Sequence, residues 1–175
     1  MFVTIARRVM VTALYVVAVA LSTAAPAGAQ TGCTVATLTD PPREVLRCRG
    51  GLKVEAEPAT HYRLLDRAAG DAPTAAEVTG RALLIDMQPG RRGGFQILTP
   101  HATASVRGTI YAVDVNAGQT SVFVARGRVA VGEKGAAKPV LLGAGQGIDV
   151  IPGRPLEVKT WGRERAANLL ARFGR

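Results

Sequence analysis

The feature that most constrains this chain is a change of phase inside a run that otherwise alternates like one β-strand. In "TPHATASVRGTIYAVDV" the small and apolar residues Ala102, Ala104 and Val106 occupy even positions, whereas Tyr111, Val113 and Val115 occupy odd ones. Successive strand side chains point to opposite faces, so the inward face is exchanged near Arg107, Gly108 and Thr109. The exchange recurs in "TSVFVARGRVAV", where Val122 and Val124 precede Arg126 and Gly127, and Val129 and Val131 follow with the other parity. A bulge or corner that inserts one residue has this effect, and glycine tolerates the backbone angles it needs. Two such corners so close together require strands that bend from one sheet to another. The expected fold is therefore mainly β, a sandwich or roll or a short β-solenoid, and a flat meander is disfavoured.

The rest of the chain agrees with that class. Short apolar alternations recur about every ten residues between Gly, Pro, Asn and Asp. They predict strands at 44–48, 52–57, 61–66, 80–87, 95–99, 103–115, 120–125, 128–132, 139–143 and 147–151, with turns at 116–119, 133–135 and 152–153. The small, polar stretch 67–79 predicts a loop with a short helical turn at "TAAEV", and "QPGRRGG" (88–94) an exposed turn. Only the tail changes period. Ala166, Leu169, Leu170 and Phe173 fall at helical spacing, with Gly174 at the C-cap position. An amphipathic helix over 160–175 is expected, its narrow apolar stripe and Trp161 packing on the sheet; docking on a membrane or partner is the other reading.

The first 29 residues have the anatomy of a signal peptide: Arg7 and Arg8, the apolar run 9–21, then the small residues "AGA" before Gln30. The run is short against the roughly 18 residues a spanning helix needs, which disfavours an anchor. The arginine pair also permits twin-arginine export, although its flanking residues fit ordinary secretion better. The expected organisation is a signal peptide at 1–29, a β domain at 30–159 and the helix at 160–175, with the mature protein in the periplasm. In an oxidising compartment Cys33 and Cys48, an even pair, predict one disulfide; lipid modification of Cys33 is the competing reading, and "AQTGC" suits it poorly.

Loss of Arg7 and Arg8 lowers the formal charge by two, from +9 to +7. A basic exported protein can lie against anionic lipid or an acidic glycan. The arginines are scattered and lack interleaved aromatics, which argues against nucleic acid. No constellation of catalytic or metal-binding type appears, so no enzyme activity, cofactor or metal is expected. His61 and His101 lack metal-ligand spacing, and His101 suggests a hydrogen bond to a turn. Ser105 and Ser121 lack a nucleophile-elbow setting. Asp86 and Asp114 fall where outward strand residues fall. Gly143, Gly145 and Gly147 in "GAGQG" precede no helix and predict a tight turn rather than a phosphate cradle.

The segments "FQILTPHATASVRGTIYAVDV", "TSVFVARGRVAV" and "VLLGAGQGIDVIPG", spanning Phe95 to Gly153, together resemble the FecR-like domain family. The shared marks are Thr99 and Pro100 before a short strand, Arg107, Gly108 and Thr109 at a corner leading to an aromatic residue, Arg126 and Gly127 after alternating valines, and Gly145 in the closing turn. Residues 33–94 match loosely. The resemblance implies an all-β periplasmic module without catalytic residues, in a family whose best-known members relay ligand status to a sigma factor. A cytoplasmic sigma-binding segment is not recognisable before Arg7, so a short secreted relative is expected. It would bind a protein or envelope ligand in signalling or envelope regulation, or act structurally on peptidoglycan or another anionic glycan.

Overall fold

The computed structural model describes residues 32–66, 71–90, 93–135 and 138–175. The signal peptide expected over 1–29, part of the loop at 67–70, and Arg91 and Arg92 of the 88–94 turn lie outside the described residues. Among the described residues thirteen strands form one curled sheet, and a single helix follows them. The strands are β1 (Cys33–Thr39), β2 (Pro42–Cys48), β3 (Leu52–Ala56), β4 (His61–Leu65), β5 (Ala75–Met87), β6 (Phe95–Leu98), β7 (Ala102–Val106), β8 (Ile110–Val115), β9 (Thr120–Arg126), β10 (Arg128–Glu133), β11 (Val140–Gly143), β12 (Gln146–Val150) and β13 (Lys159–Thr160). Helix α1 is Arg163–Ala171.

The long strand β5 explains how one sheet makes two layers. Its first part pairs with β4 and β6, its second part with β3 and β8. Between them Gly80 and Arg81 change the phase: Ala76 and Val78 face the main core before the bend, Leu83, Ile85 and Met87 after it. Arg81 takes φ 65°, the left-handed region that β-strands normally exclude. One layer thus runs β4-β5-β6-β7-β10-β11 and the other β1-β2-β3-β5-β8-β9-β12-β13, with the apolar core between them.

The structure corrects several expectations. "TAAEV" is not a helical turn in a loop: Ala75–Glu77 begin β5, because neighbours on both sides complete their backbone bonds and Ala76 and Val78 alternate inward. The run 103–115 is two strands in different layers. Strand β1, absent from the expected set, buries only Cys33 and so carries no apolar alternation. Strand β13 has two residues and leaves none.

The helix covers the outer face of the second layer. Leu169, Phe173 and Trp161 bury against Ala82, Leu84, Ala112 and Phe123, a second apolar cluster behind the sheet. Burial of such side chains contributes about 2 kcal/mol each. Gly147 makes room for Trp161, since a Cβ there would lie 2.3 Å from the indole nitrogen. The helix ends in a Schellman motif: Gly174 takes φ 70°, and the Arg175 and Gly174 N–H groups donate to the carbonyls of Leu170 and Ala171.

At the other end of the chain, Cys33 and Cys48 are register partners joined by a disulfide. One core residue is imperfectly satisfied. Tyr111 is fully buried, burial pushes its phenol above the ordinary range, and its hydroxyl has no hydrogen-bond partner among the described residues. Tyr111→Phe is therefore expected to raise stability by about 1 kcal/mol. A thermal melt checks this; a lower melting temperature would show that the hydroxyl is paired.

Candidate functional site

The two arginine-glycine corners of the sequence meet in space. Gly108 and Gly127 take φ 63° and 89°, each where the chain passes between layers. Thr109, fully buried, donates its hydroxyl to the carbonyls of both Arg107 and Arg128, at 3.1 and 3.0 Å. It staples the first corner to the second. Gly127 lies so close that an added Cβ would stand 2.8 Å from Thr109 Oγ1. Gly108 faces the preceding turn, where an added Cβ would stand 3.0 Å from Pro89 Cα. The ladder records the inserted residue as a slip between Ile110↔Arg126 and Tyr111↔Val124.

The corner residues therefore use backbone and hydroxyl groups for structure, while the arginine side chains are left outside. Arg107, Arg126 and Arg128 are exposed, and none has an acidic partner among the described residues. Arg107 and Arg128 flank an open groove of about 500 Å³ on the outer face of the first layer. Gln96 and Ser105, hydrogen-bonded at 3.1 Å, lie along it. Ala130 and Leu141, the latter 61% exposed, give it an apolar side, and no Asp or Glu among the described residues lines it. Such a groove can take a carboxylate or phosphate on paired guanidinium forks beside an apolar contact.

The charge distribution sharpens this. Acidic groups gather on the opposite outer face, under the helix. Glu55, buried, accepts from Arg43 at 2.8 Å and Arg175 at 3.0 Å and pairs with Lys53 at 2.8 Å. Glu57, also buried, accepts from the Ala82 N–H and pairs with Arg81 and Arg172. Arg172 continues to Asp114 and Arg175 to Asp86. Asp149 takes Arg165, whose guanidinium stacks 3.6 Å over Trp161. With these carboxylates matched, uncompensated positive charge is left at the corners.

Asp86 and Asp114, expected to point outward, do leave the main core, but the helix covers that face and each meets an arginine from its C-terminal end. His101 Nδ1 lies 3.2 Å from Thr120 Oγ1, beside Thr99, whose hydroxyl accepts the His101 and Ala102 N–H bonds and so shapes the turn at Pro100. Ser121 donates to Asp149, Ser105 lies in the groove, and His61 is an exposed strand residue. Gly145 takes φ 78° in the turn between β11 and β12, and Gly143 donates its N–H to Gln146 Oε1. No group of three His, Cys, Asp or Glu suited to a metal occurs among the described residues. Sequence reasoning did not single out Arg128, Gln96 and Leu141 as groove residues, because only the meeting of β6, β7, β10 and β11 brings them together.

A single sheet curled into two layers by arginine-glycine corners, with one outer face covered by the C-terminal helix, is the architecture to be compared with known folds. Residues 35–130, more than half of the chain, match the family described as FecR protein, and the chain belongs to that family. The match reaches further toward the N-terminus than the 95–153 core of the sequence resemblance. Crystal structures of a candidate anti-sigma factor from Parabacteroides distasonis ATCC 8503, at 2.50 and 1.65 Å resolution, share the fold. They are 15% and 16% identical, each with a TM-score of 0.59, and align with 79% and 78% of this chain. The chain spans 64% of the length of those proteins. No curated protein matches it.

Proposed function

We propose that this chain is a periplasmic FecR-type regulatory module that recognises a protein or envelope ligand through the arginine groove at its paired corners. The observation that carries this reading is that groove: two exposed guanidinium groups, of Arg107 in the first corner and of Arg128 next to Gly127 in the second, without acidic partners among the described residues. The signal-like residues 1–29 and the Cys33–Cys48 disulfide support an exported, oxidised setting. Membership of a family with regulatory members supports a role in signalling rather than catalysis.

Two measurements test it. A reporter enzyme active only after export, fused behind residue 175, is expected to be active with residues 1–29 present and inactive without them. A photo-crosslinking residue at Leu141 is expected to trap a partner in cells that the same residue at Ala125 does not trap. Loss of that adduct in Arg107→Ala/Arg128→Ala, together with an altered transcript profile, is the expected result; no adduct and no transcript change would overturn the regulatory reading. A structural role on an anionic glycan is the second reading, and the groove's charge favours it. It predicts co-sedimentation with purified sacculi that the same double variant abolishes at ordinary salt.

A further inference from the structure

Strand β1 has no packing reason to occupy its place. Of its seven residues only Cys33 is buried, and Val35 and Leu38 are 46% and 40% exposed. Edge strands are ordinarily blunted by charge, proline or bulges, and β1 has none of these. Its pairing with β2 is unbroken from Cys33↔Cys48 to Thr39↔Pro42, and the disulfide fastens one end. We propose that β1 is a docking strand for a second copy of this chain, which pairs antiparallel to it about a two-fold axis at Ala36.

The register follows from the backbone. Antiparallel partners alternate between pairs that exchange two hydrogen bonds and closer pairs that exchange none. The Arg49 N–H donates to the Gly32 carbonyl at 3.1 Å, and the next pair, Cys33↔Cys48, has the short Cα separation of 4.0 Å. Thr39↔Pro42 has the same parity, as it must, because proline offers no N–H. Thr34, Ala36 and Leu38 therefore bond to β2, and the N–H and C=O groups of Cys33, Val35, Thr37 and Thr39 point to the side that no described strand occupies.

A second β1 laid antiparallel over all seven residues places Ala36 opposite Ala36, Val35 opposite Thr37 and Cys33 opposite Thr39. Every outward backbone group then meets an outward group of the copy, and Ala36 is a close, non-bonded pair. Any shift of register shortens the overlap. Because the strand carries no charged residue, its two-fold pairing with a copy brings no like charges face to face within the seam, and its backbone groups match those of the copy along its whole length. A partner drawn by charge goes to the arginine groove instead.

The test uses the chain expressed from its full coding sequence, in the form the cell processes it, with the Cys33–Cys48 bond verified by mass. Sedimentation equilibrium across the micromolar range is expected to show the mass doubling. Thr37→Pro is expected to stay monomeric. It removes an N–H that faces the open side, not β2, so its melting temperature is expected to match the parent. Should it melt early, Thr37→Lys reads the same outcome without altering the backbone. Ala36→Cys is expected to cross-link two chains under mild oxidation about ten-fold faster than Ala125→Cys on the exposed end of β9. A chain that stays monomeric throughout would overturn the proposal. So would a dimer that survives Thr37→Lys while Ala36→Cys cross-links no faster than Ala125→Cys.

Discussion

Gly127→Val is expected to destabilise the fold by about 4 kcal/mol and to lower the melting temperature by about 10 °C. Two effects add. Gly127 holds φ 89°, which costs any residue with a Cβ about 1–2 kcal/mol, and more when it is β-branched. The added carbon would also stand 2.8 Å from Thr109 Oγ1 and 3.1 Å from the Gly108 carbonyl. Thr109 cannot retreat without breaking its bonds to the carbonyls of Arg107 and Arg128, so strain in one corner passes to the other. Gly108→Val, held at φ 63° with Pro89 Cα 3.0 Å away, is expected to behave similarly. Calorimetry of the variants checks both, and melting with the parent would remove the corner as an explanation of the phase change.

Arg172→Ala is expected to cost about 3 kcal/mol and to loosen the helix first. The substitution leaves buried Glu57 with only the Ala82 N–H and the more distant Arg81, and it frees Asp114. A carboxylate kept from water without its main partner costs far more than an exposed pair contributes. Hydrogen exchange is expected to show residues 163–173 losing protection before the sheet does; uniform loss would mean that the helix is not held separately.

The same charge network sets a pH dependence. Burial alone raises the carboxyl pKa of Glu55, but hydrogen bonds from Lys53, Arg43 and Arg175 outweigh it and hold it below its usual 4.5. Asp149, likewise raised by burial, is held below its usual 3.8 by Arg165 and Ser121. A carboxyl depressed in the fold contributes stability above its unfolded value and loses it as pH falls through the folded one. The melting temperature is therefore expected to be flat from neutrality to about pH 5 and to fall progressively below about pH 4.5. Arg175→Met, which removes one donor to Glu55, is expected to shrink that fall.

Much of the fold was legible because its signals are local. The parity exchanges at Gly108 and Gly127 located both corners, and the stripe from Ala166 to Phe173 located the helix. The third corner, at Gly80 and Arg81, was hidden because "TAAEV" is small and polar enough to suggest a loop. Only its two neighbouring strands make it a strand. Strand β1 was hidden for the opposite reason: it buries almost nothing, so it has no pattern to read. The candidate site was half legible. Arg107 and Arg126 stood out through their motif, but their isolation from acidic groups depends on where Glu55, Glu57, Asp86, Asp114 and Asp149 go, and that is a property of the helix-covered face.

The corners thus divide their labour: glycines and Thr109 hold the backbone, and the arginine side chains face outward, where the proposed groove lies. A thermal melt of Arg107→Ala/Arg128→Ala tests that division most directly. Since Thr109 bonds only to the carbonyls of those residues, the double variant is expected to melt within about 2 °C of the parent. A loss comparable with that of Gly127→Val would show that the guanidinium groups hold the corner themselves, and would remove the basis for a binding groove.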